Sequence, residues 1–133
     1  MISIQALHRE AMDMAEMALM AKHQGQLDKA DDLFRQAYDK EKESAEFFQT
    51  LMNEEPTRSV FYRSAASLAV QCQEFREAER LIATALSGEP PVEIAEELRE
   101  LLENLYGNGI EGCVKRLKIG MVGKRAVGFW DNI

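Results

Sequence analysis

Cysteine is nearly missing: Cys72 and Cys113 are the only two in 133 residues, and no second thiol stands near either. That spacing fits neither a zinc site nor a redox pair, so reduced thiols in a cytoplasmic protein are the simpler expectation. Proline is confined to Pro56, Pro90 and Pro91, and between Gly25 and Pro56 there is neither glycine nor proline to break a helix. No apolar run approaches the roughly 18 residues of a membrane-spanning helix. His8, Arg9, Glu10 and Asp13 interrupt the first apolar stretch, so no secretory leader and no membrane association are expected. An excess of positive charge is absent as well. The net charge is −7, which argues against general nucleic-acid binding, because phosphate contacts need a basic surface.

Catalytic arrangements are missing too. His8 and His23 belong to no Glu-x-x-His or His-x-x-x-His pattern, so no di-iron or zinc site is expected. No Gly-x-Ser-x-Gly elbow occurs. Gly120, Gly123 and Lys124 lack the spacing of a phosphate loop, and no Ser or Thr follows the lysine. The sequence therefore predicts a chain without enzyme activity, metal or cofactor.

What is present is helical periodicity. Ile4, Leu7, Ala11, Met14, Ala15, Ala18 and Ala21 fall on one broad face at 100° per residue, with Arg9, Asp13 and Glu16 opposite. Gly25 ends this run. A second begins at Leu27 and continues through Ala30, Phe34, Ala37, Tyr38, Ala45, Phe48 and Leu51, which predicts one helix of about 27 residues. Pro56 closes it, and Thr57 is the expected N-cap of a third helix carrying Phe61, Tyr62, Ala65, Ala66, Leu68, Ala69 and Cys72. Phe75, Ala78, Leu81, Ile82, Ala85 and Leu86 give a fourth, stopped by Gly88. A fifth starts at Pro91, carries Ile94, Ala95, Leu98, Leu101, Leu102 and Leu105, and ends at Gly107.

Beyond Gly109 the period changes to two. Leu117, Ile119 and Met121 alternate with Arg116, Lys118 and Gly120, and the chain can turn at residues 123–125 into Ala126, Val127 and Phe129. A lone hairpin is marginal in water, so this tail packs on the helices, pairs with another chain or stays mobile. Two regions follow: a helical one over 1–107 and a tail over 108–133. They differ in charge. Residues 1–106 carry 11 Lys and Arg against 21 Asp and Glu, while residues 107–133 carry five basic residues against Glu111 and Asp131.

The helices contain a duplication. Gln26 to Ala30 and Glu74 to Ala78 both place a large apolar residue three positions before an alanine, with an apolar residue four further on and an alanine at seven: Phe34 and Ala37, then Ile82 and Ala85. The pattern resembles the tetratricopeptide repeat. On that resemblance Ala18 and Ala66 match the small position of the first helix, and Ala30 and Ala78 that of the second. Phe34 and Ile82 match the filler between helices, Gly25 the turn glycine and Pro90 the closing proline. Departures are the 48-residue spacing, Lys42 at the first closing-proline position, Gln73 in place of the second turn glycine, and Met14 where Tyr62 supplies the bulky aromatic.

The resemblance implies an all-α fold of antiparallel helix hairpins, about five helices, with helix five as a cap. It also implies a groove lined by the first helix of each pair: Met12, Ala15, Leu19, Lys22 and His23, then Val60, Arg63, Ser67, Val70 and Gln71. Apolar residues with a few donors suit a peptide or protein segment. The expected function is a scaffold or adaptor. The alternatives are a homodimer through the long second helix or the tail and, more weakly, nucleic-acid binding through Lys115, Arg116, Lys118, Lys124 and Arg125 with Phe129 and Trp130. An intramolecular contact between this basic tail and the acidic helical body is the simpler reading of those charges. The carboxylates Asp28, Asp31, Asp32, Glu41, Glu43 and Glu46, interspersed with Lys and Arg, read as a solvated, ion-paired face. Met17 and Met20 point away from the apolar stripe, so at least one is expected to meet solvent or a partner.

Overall fold

Ser3 starts the first helix by accepting a hydrogen bond from the Ala6 amide at 3.1 Å, which satisfies one of the donors a helix N-terminus leaves open. The computed structural model describes residues 3–107, and these form five α-helices: α1 (Ile4–His23), α2 (Leu27–Phe47), α3 (Thr57–Gln71), α4 (Phe75–Leu86) and α5 (Val92–Gly107). Among the described residues there is no strand, and no helix is long and apolar enough to cross a membrane. The fold is all-α. The hairpin expected after Gly109 lies outside the described residues.

α1 packs on α2, α3 on α4, and the two pairs meet through α2 and α3, with α5 against α3 and α4. Ala11, Ala15, Ala18, Ala37, Ala65, Ala66, Ala69, Ala78 and Ala85 are all fully buried, so the helices cross where side chains are smallest. Phe34, Tyr38, Phe61, Tyr62, Leu68, Ile82 and Leu98 fill the space between crossings.

The 48-residue duplication is repeated in the turns, bond for bond. The amide of Gln26 donates to Ala21 O at 2.9 Å and that of Gly25 to Lys22 O at 3.1 Å. Forty-eight residues on, Glu74 donates to Ala69 O at 2.8 Å and Gln73 to Val70 O at 3.0 Å. This is the Schellman closure of a helix, which needs a left-handed residue. Gly25 takes it at φ 78° and Gln73 at φ 62°. A residue with a Cβ is strained there by about 1–2 kcal/mol, part of which glycine returns as backbone entropy. Gln73→Gly is therefore expected to raise stability by about 0.5–1 kcal/mol, and Gly25→Ala to lower it by about 1 kcal/mol. Thermal denaturation followed at 222 nm reads both.

Two boundaries differ from the sequence reading. α2 spans 21 residues, not about 27, and exceeds α4 by 9 residues (21 against 12), about two and a half turns. After Phe47 the chain tightens into three-residue steps, with Phe48 donating to Ala45 O, Gln49 to Glu46 O and Leu51 to Phe48 O. Arg58 donates to the Phe48 and Gln49 carbonyls at 3.0 and 3.1 Å, a tertiary cap on the end of α2. The second difference is at the start of α3. Thr57 is its first residue and not its cap. Pro56 is the cap residue, and the Glu55 carboxylate before it accepts from the Ser59 amide at 3.0 Å and the Ser59 hydroxyl at 2.8 Å.

Candidate partner-binding face

At 100° per residue, Met12, Ala15, Leu19, Lys22 and His23 of α1 share an arc of about 100°, and Val60, Arg63, Ser67, Val70 and Gln71 occupy the same arc of α3. Most of these positions are covered. Met12, Ala15, Leu19, Arg63, Ser67 and Val70 are buried, Lys22, Val60 and Gln71 are half-buried, and only His23 is exposed. α1 and α3 meet near their N-terminal ends, where the His8 and Phe61 rings stack at 4.2 Å and 12°. α5 extends the face on the other side of α3, with Arg63 Nη1 donating to Glu97 Oε2 at 3.1 Å. Burial pulls the Arg63 guanidinium below its ordinary range, against the opposing pull of Glu97. Burial likewise lowers Lys22, with Asp31 opposing.

The face carries polar groups that no described bond satisfies. The Ser64 and Ser67 hydroxyls are 0% and 1% exposed and, with Gln71 Nε2, have no hydrogen-bond partner. Ser64, Ser67 and Gln71 are spaced i, i+3 and i+7, so they form one row along α3. Buried polar atoms are nearly always paired, and each one left unpaired costs about 1–3 kcal/mol.

Two buried charged groups lie behind the face. His8 Nδ1 sits 2.8 Å from both oxygens of Glu41, whose side chain is wholly buried. Burial raises the Glu41 carboxyl, and the hydrogen bond from His8 holds it down in part. This corrects the expectation of a solvated face at Glu41: α1 and α3 close over it. The second is Arg58, 0% exposed, whose Nε donates to Phe48 O at 3.0 Å and whose Nη2 donates to Gln49 O and, at 3.3 Å, to Thr84 O. Its guanidinium lies 5.2 Å from the Tyr62 ring centre. One cation thus closes the C-terminal ends of α2 and α4, where the helix dipoles are negative.

Asp28, Asp31, Asp32, Glu43 and Glu46 are exposed, as expected of a solvated face, but the cross-helix ion pairs are made by other carboxylates. Lys40 pairs with Glu10, Arg35 with Glu74 and Lys42 with Glu77 across helices. Met17 and Met20 are 50% and 60% exposed. Among the described residues no group of His, Cys, Asp and Glu could hold a metal. A polar cleft of about 340 Å³ lies among Asp31, Asp32, Arg35, Gln71, Cys72 and Gln73. Burial pushes the Cys72 thiol up to about 11 although Arg35 opposes it, so at neutral pH it is a weakly nucleophilic thiol.

His8, Glu41 and Arg58 did not stand out in the sequence, yet each interrupts an apolar stripe. His8 lies four after Ile4 and three before Ala11. Glu41 lies four after Ala37 and four before Ala45. Arg58 lies four before Tyr62 and seven before Ala65. A charge at a stripe position was the available signal. The chain matches no protein-family model, no curated protein and no solved structure.

Proposed function

We propose that this chain is a non-enzymatic scaffold of the tetratricopeptide-like kind, working in the cytoplasm, whose α1–α3–α5 face binds an extended protein segment. The observation that carries the reading is the row of buried, unpartnered polar groups, Ser64, Ser67 and Gln71, set among apolar Met12, Leu19 and Val70. Apolar surface supplies affinity, and fixed polar groups specify the register of a bound backbone. The duplicated closing turns at Gly25 and Gln73 hold the two hairpins in equivalent conformations, so a rigid face is presented.

The test is affinity purification of the tagged full-length chain beside the double variant Val60→Arg, Gln71→Arg, with quantitative mass spectrometry. Both positions are half-buried, so longer cations there obstruct the face without emptying the core. A partner enriched at least about tenfold with the wild type and lost with the variant is expected, since obstructing a central contact costs about 1.4 kcal/mol or more. Equal recovery with both chains would place the partner elsewhere, and no enrichment at all would count against a scaffold.

A further inference from the structure

α4 and α5 are joined only by residues 87–91, and the start of α4 lies beside the end of α5. Two hollows of about 630 and 440 Å³ share Arg76, Glu79 and Tyr106 and form one open groove along the outer side of this hairpin. Its floor is apolar. Phe75, Leu102 and Leu105 are half-buried, Ala83 is exposed, and Tyr106 is 66% exposed. Its rims are charged, and with opposite signs. Arg76 and Arg80 stand on the α4 side, and Glu96 and Glu103, seven residues apart, on the α5 side.

We propose that this groove is the contact between two copies of the chain, paired through a two-fold axis that runs along the hairpin. Such an axis lays α4 of each copy over α5 of the other. A two-fold contact must be self-complementary, and the positions of the charges meet that condition. Arg76 and Tyr106 lie at one level, since both line both hollows. Arg80 is four residues further along α4, about 6 Å, and Glu103 is three residues back along α5, about 4.5 Å. Arg80 of each copy therefore comes level with Glu103 of the other, and Arg76 with the other Tyr106 ring, a cation on an aromatic face. Arg99 comes level with Ala83 of the other copy, whose small side chain leaves it room to reach Glu79 one turn away. Arg80 is largely exposed, and its ion pair within the chain is a local one to Glu77, so its outer side is open. An axis across the helices would instead set α4 on α4 and α5 on α5, arginine against arginine and glutamate against glutamate, which like-charge repulsion opposes.

The contact is small. Helices of 12 and 16 residues are about 18 and 24 Å long and pack about 8–10 Å apart, so the shared face falls short of the roughly 800 Å² per partner of a standard interface. A dissociation constant on the order of 10 μM is expected. Glu97, which meets Arg63, and Tyr106 are nine residues apart on α5 and so project from opposite sides of it. Pairing here leaves the α1–α3–α5 face accessible and presents it twice, so a ligand with two binding stretches would gain affinity by tethering. The pairing itself does not rest on the scaffold reading.

Sedimentation velocity of the full-length chain from about 1 to 300 μM tests it, a range that brackets the expected dissociation constant. The mass is expected to rise from 15.1 kDa toward twice that value. Arg80→Glu and Glu103→Arg each set like charges together at both symmetric contacts, and each is expected to weaken association at least about tenfold with unchanged helicity at 222 nm. An equimolar mixture of the two variants restores opposite charges at both contacts, so it is expected to associate within about threefold of the wild type. A monomer at every concentration overturns the proposal and leaves the groove to another occupant. A dimer that neither variant weakens overturns it by placing the contact elsewhere, and a mixture that stays monomeric overturns it by excluding this two-fold pairing. None of these results depends on capturing a partner at the α1–α3–α5 face, so the two readings fail separately.

Discussion

Arg58→Ala is expected to lower stability by about 3–5 kcal/mol, combining a cavity left by a large buried side chain with the loss of three hydrogen bonds to helix-end carbonyls. The fall in midpoint for a domain of this size is on the order of 15–30 °C. Arg58 is wholly buried and has no carboxylate partner among the described residues; its Nε and Nη2 bond the carbonyls of Phe48, Gln49 and Thr84. Removing it takes one donor from each of these carbonyls, although Leu51 N and Ser87 Oγ still donate to Phe48 O and Thr84 O. Lysine is not expected to rescue the loss, because a point charge cannot reproduce a planar fork that reaches two helix ends at once. Gly88 supplies an independent check. A Cβ there would lie 2.5 Å from Arg58 Nη1 and 3.3 Å from Cζ, so Gly88→Ala should be costly when Arg58 is present. In the Arg58→Ala background the same substitution meets only the Ala85 carbonyl oxygen, at an ordinary 3.5 Å, and should cost much less. A double-mutant cycle of urea titrations gives the coupling, and additive effects would show that the guanidinium is not held against Gly88.

The second large effect is at His8 and Glu41. His8→Leu removes the donor to a carboxylate buried on every side, and breaking one member of a buried pair costs about 3–5 kcal/mol. Phe61 loses its stacked ring at 4.2 Å in the same change. The variant should also gain a distinctive pH dependence. Burial raises the Glu41 carboxyl above 4.5, and without His8 nothing in the pair opposes that rise. The folded state then holds a proton that the unfolded state releases, so stability falls as pH rises through the window between the ordinary carboxylate value and the raised one. It is regained as pH is lowered through that window, down to the ordinary value. Replacing both residues, as in His8→Leu with Glu41→Leu, removes donor and acceptor together, and the double variant should be more stable than His8→Leu alone. Denaturant titrations of the three proteins at several pH values decide it: a His8→Leu penalty that does not change with pH would mean Glu41 gains water or another partner.

These residues also show where local sequence information stops. The five helices were legible because apolar side chains recur at helical spacing over enough turns to outweigh any single position, and because Gly25, Gly88 and Gly107 mark the ends. The duplication was legible for the same reason, and it even located Gln73 at the position of Gly25. The end of α2 was not. Its sequence runs on from Phe47 without a breaker, and the carbonyls at its end are capped by a guanidinium arriving from α3.

Glu41 makes the same point about charge. Its chain neighbours are Lys40 and Lys42, which pair outward with Glu10 and Glu77, so the local pattern is that of a solvated face. Its position on the stripe between Ala37 and Ala45 indicates the opposite. The two cues disagree, and the packing of α1 and α3 against α2 settles the matter by excluding water from one side of the helix and not the other. The face formed by Met12, Leu19, Ser67 and Val70 follows the same logic: its residues share an arc by helical periodicity alone, but whether that arc is open or covered depends on what lies across it. By itself the sequence determined the all-α class, the helix order and the repeated turn, because those follow from backbone preferences and spacing within a few turns. Only the tertiary structure decided which charges are buried, which carbonyls end a helix and which polar groups lack a partner, because burial is a property of surfaces brought together from distant parts of the chain.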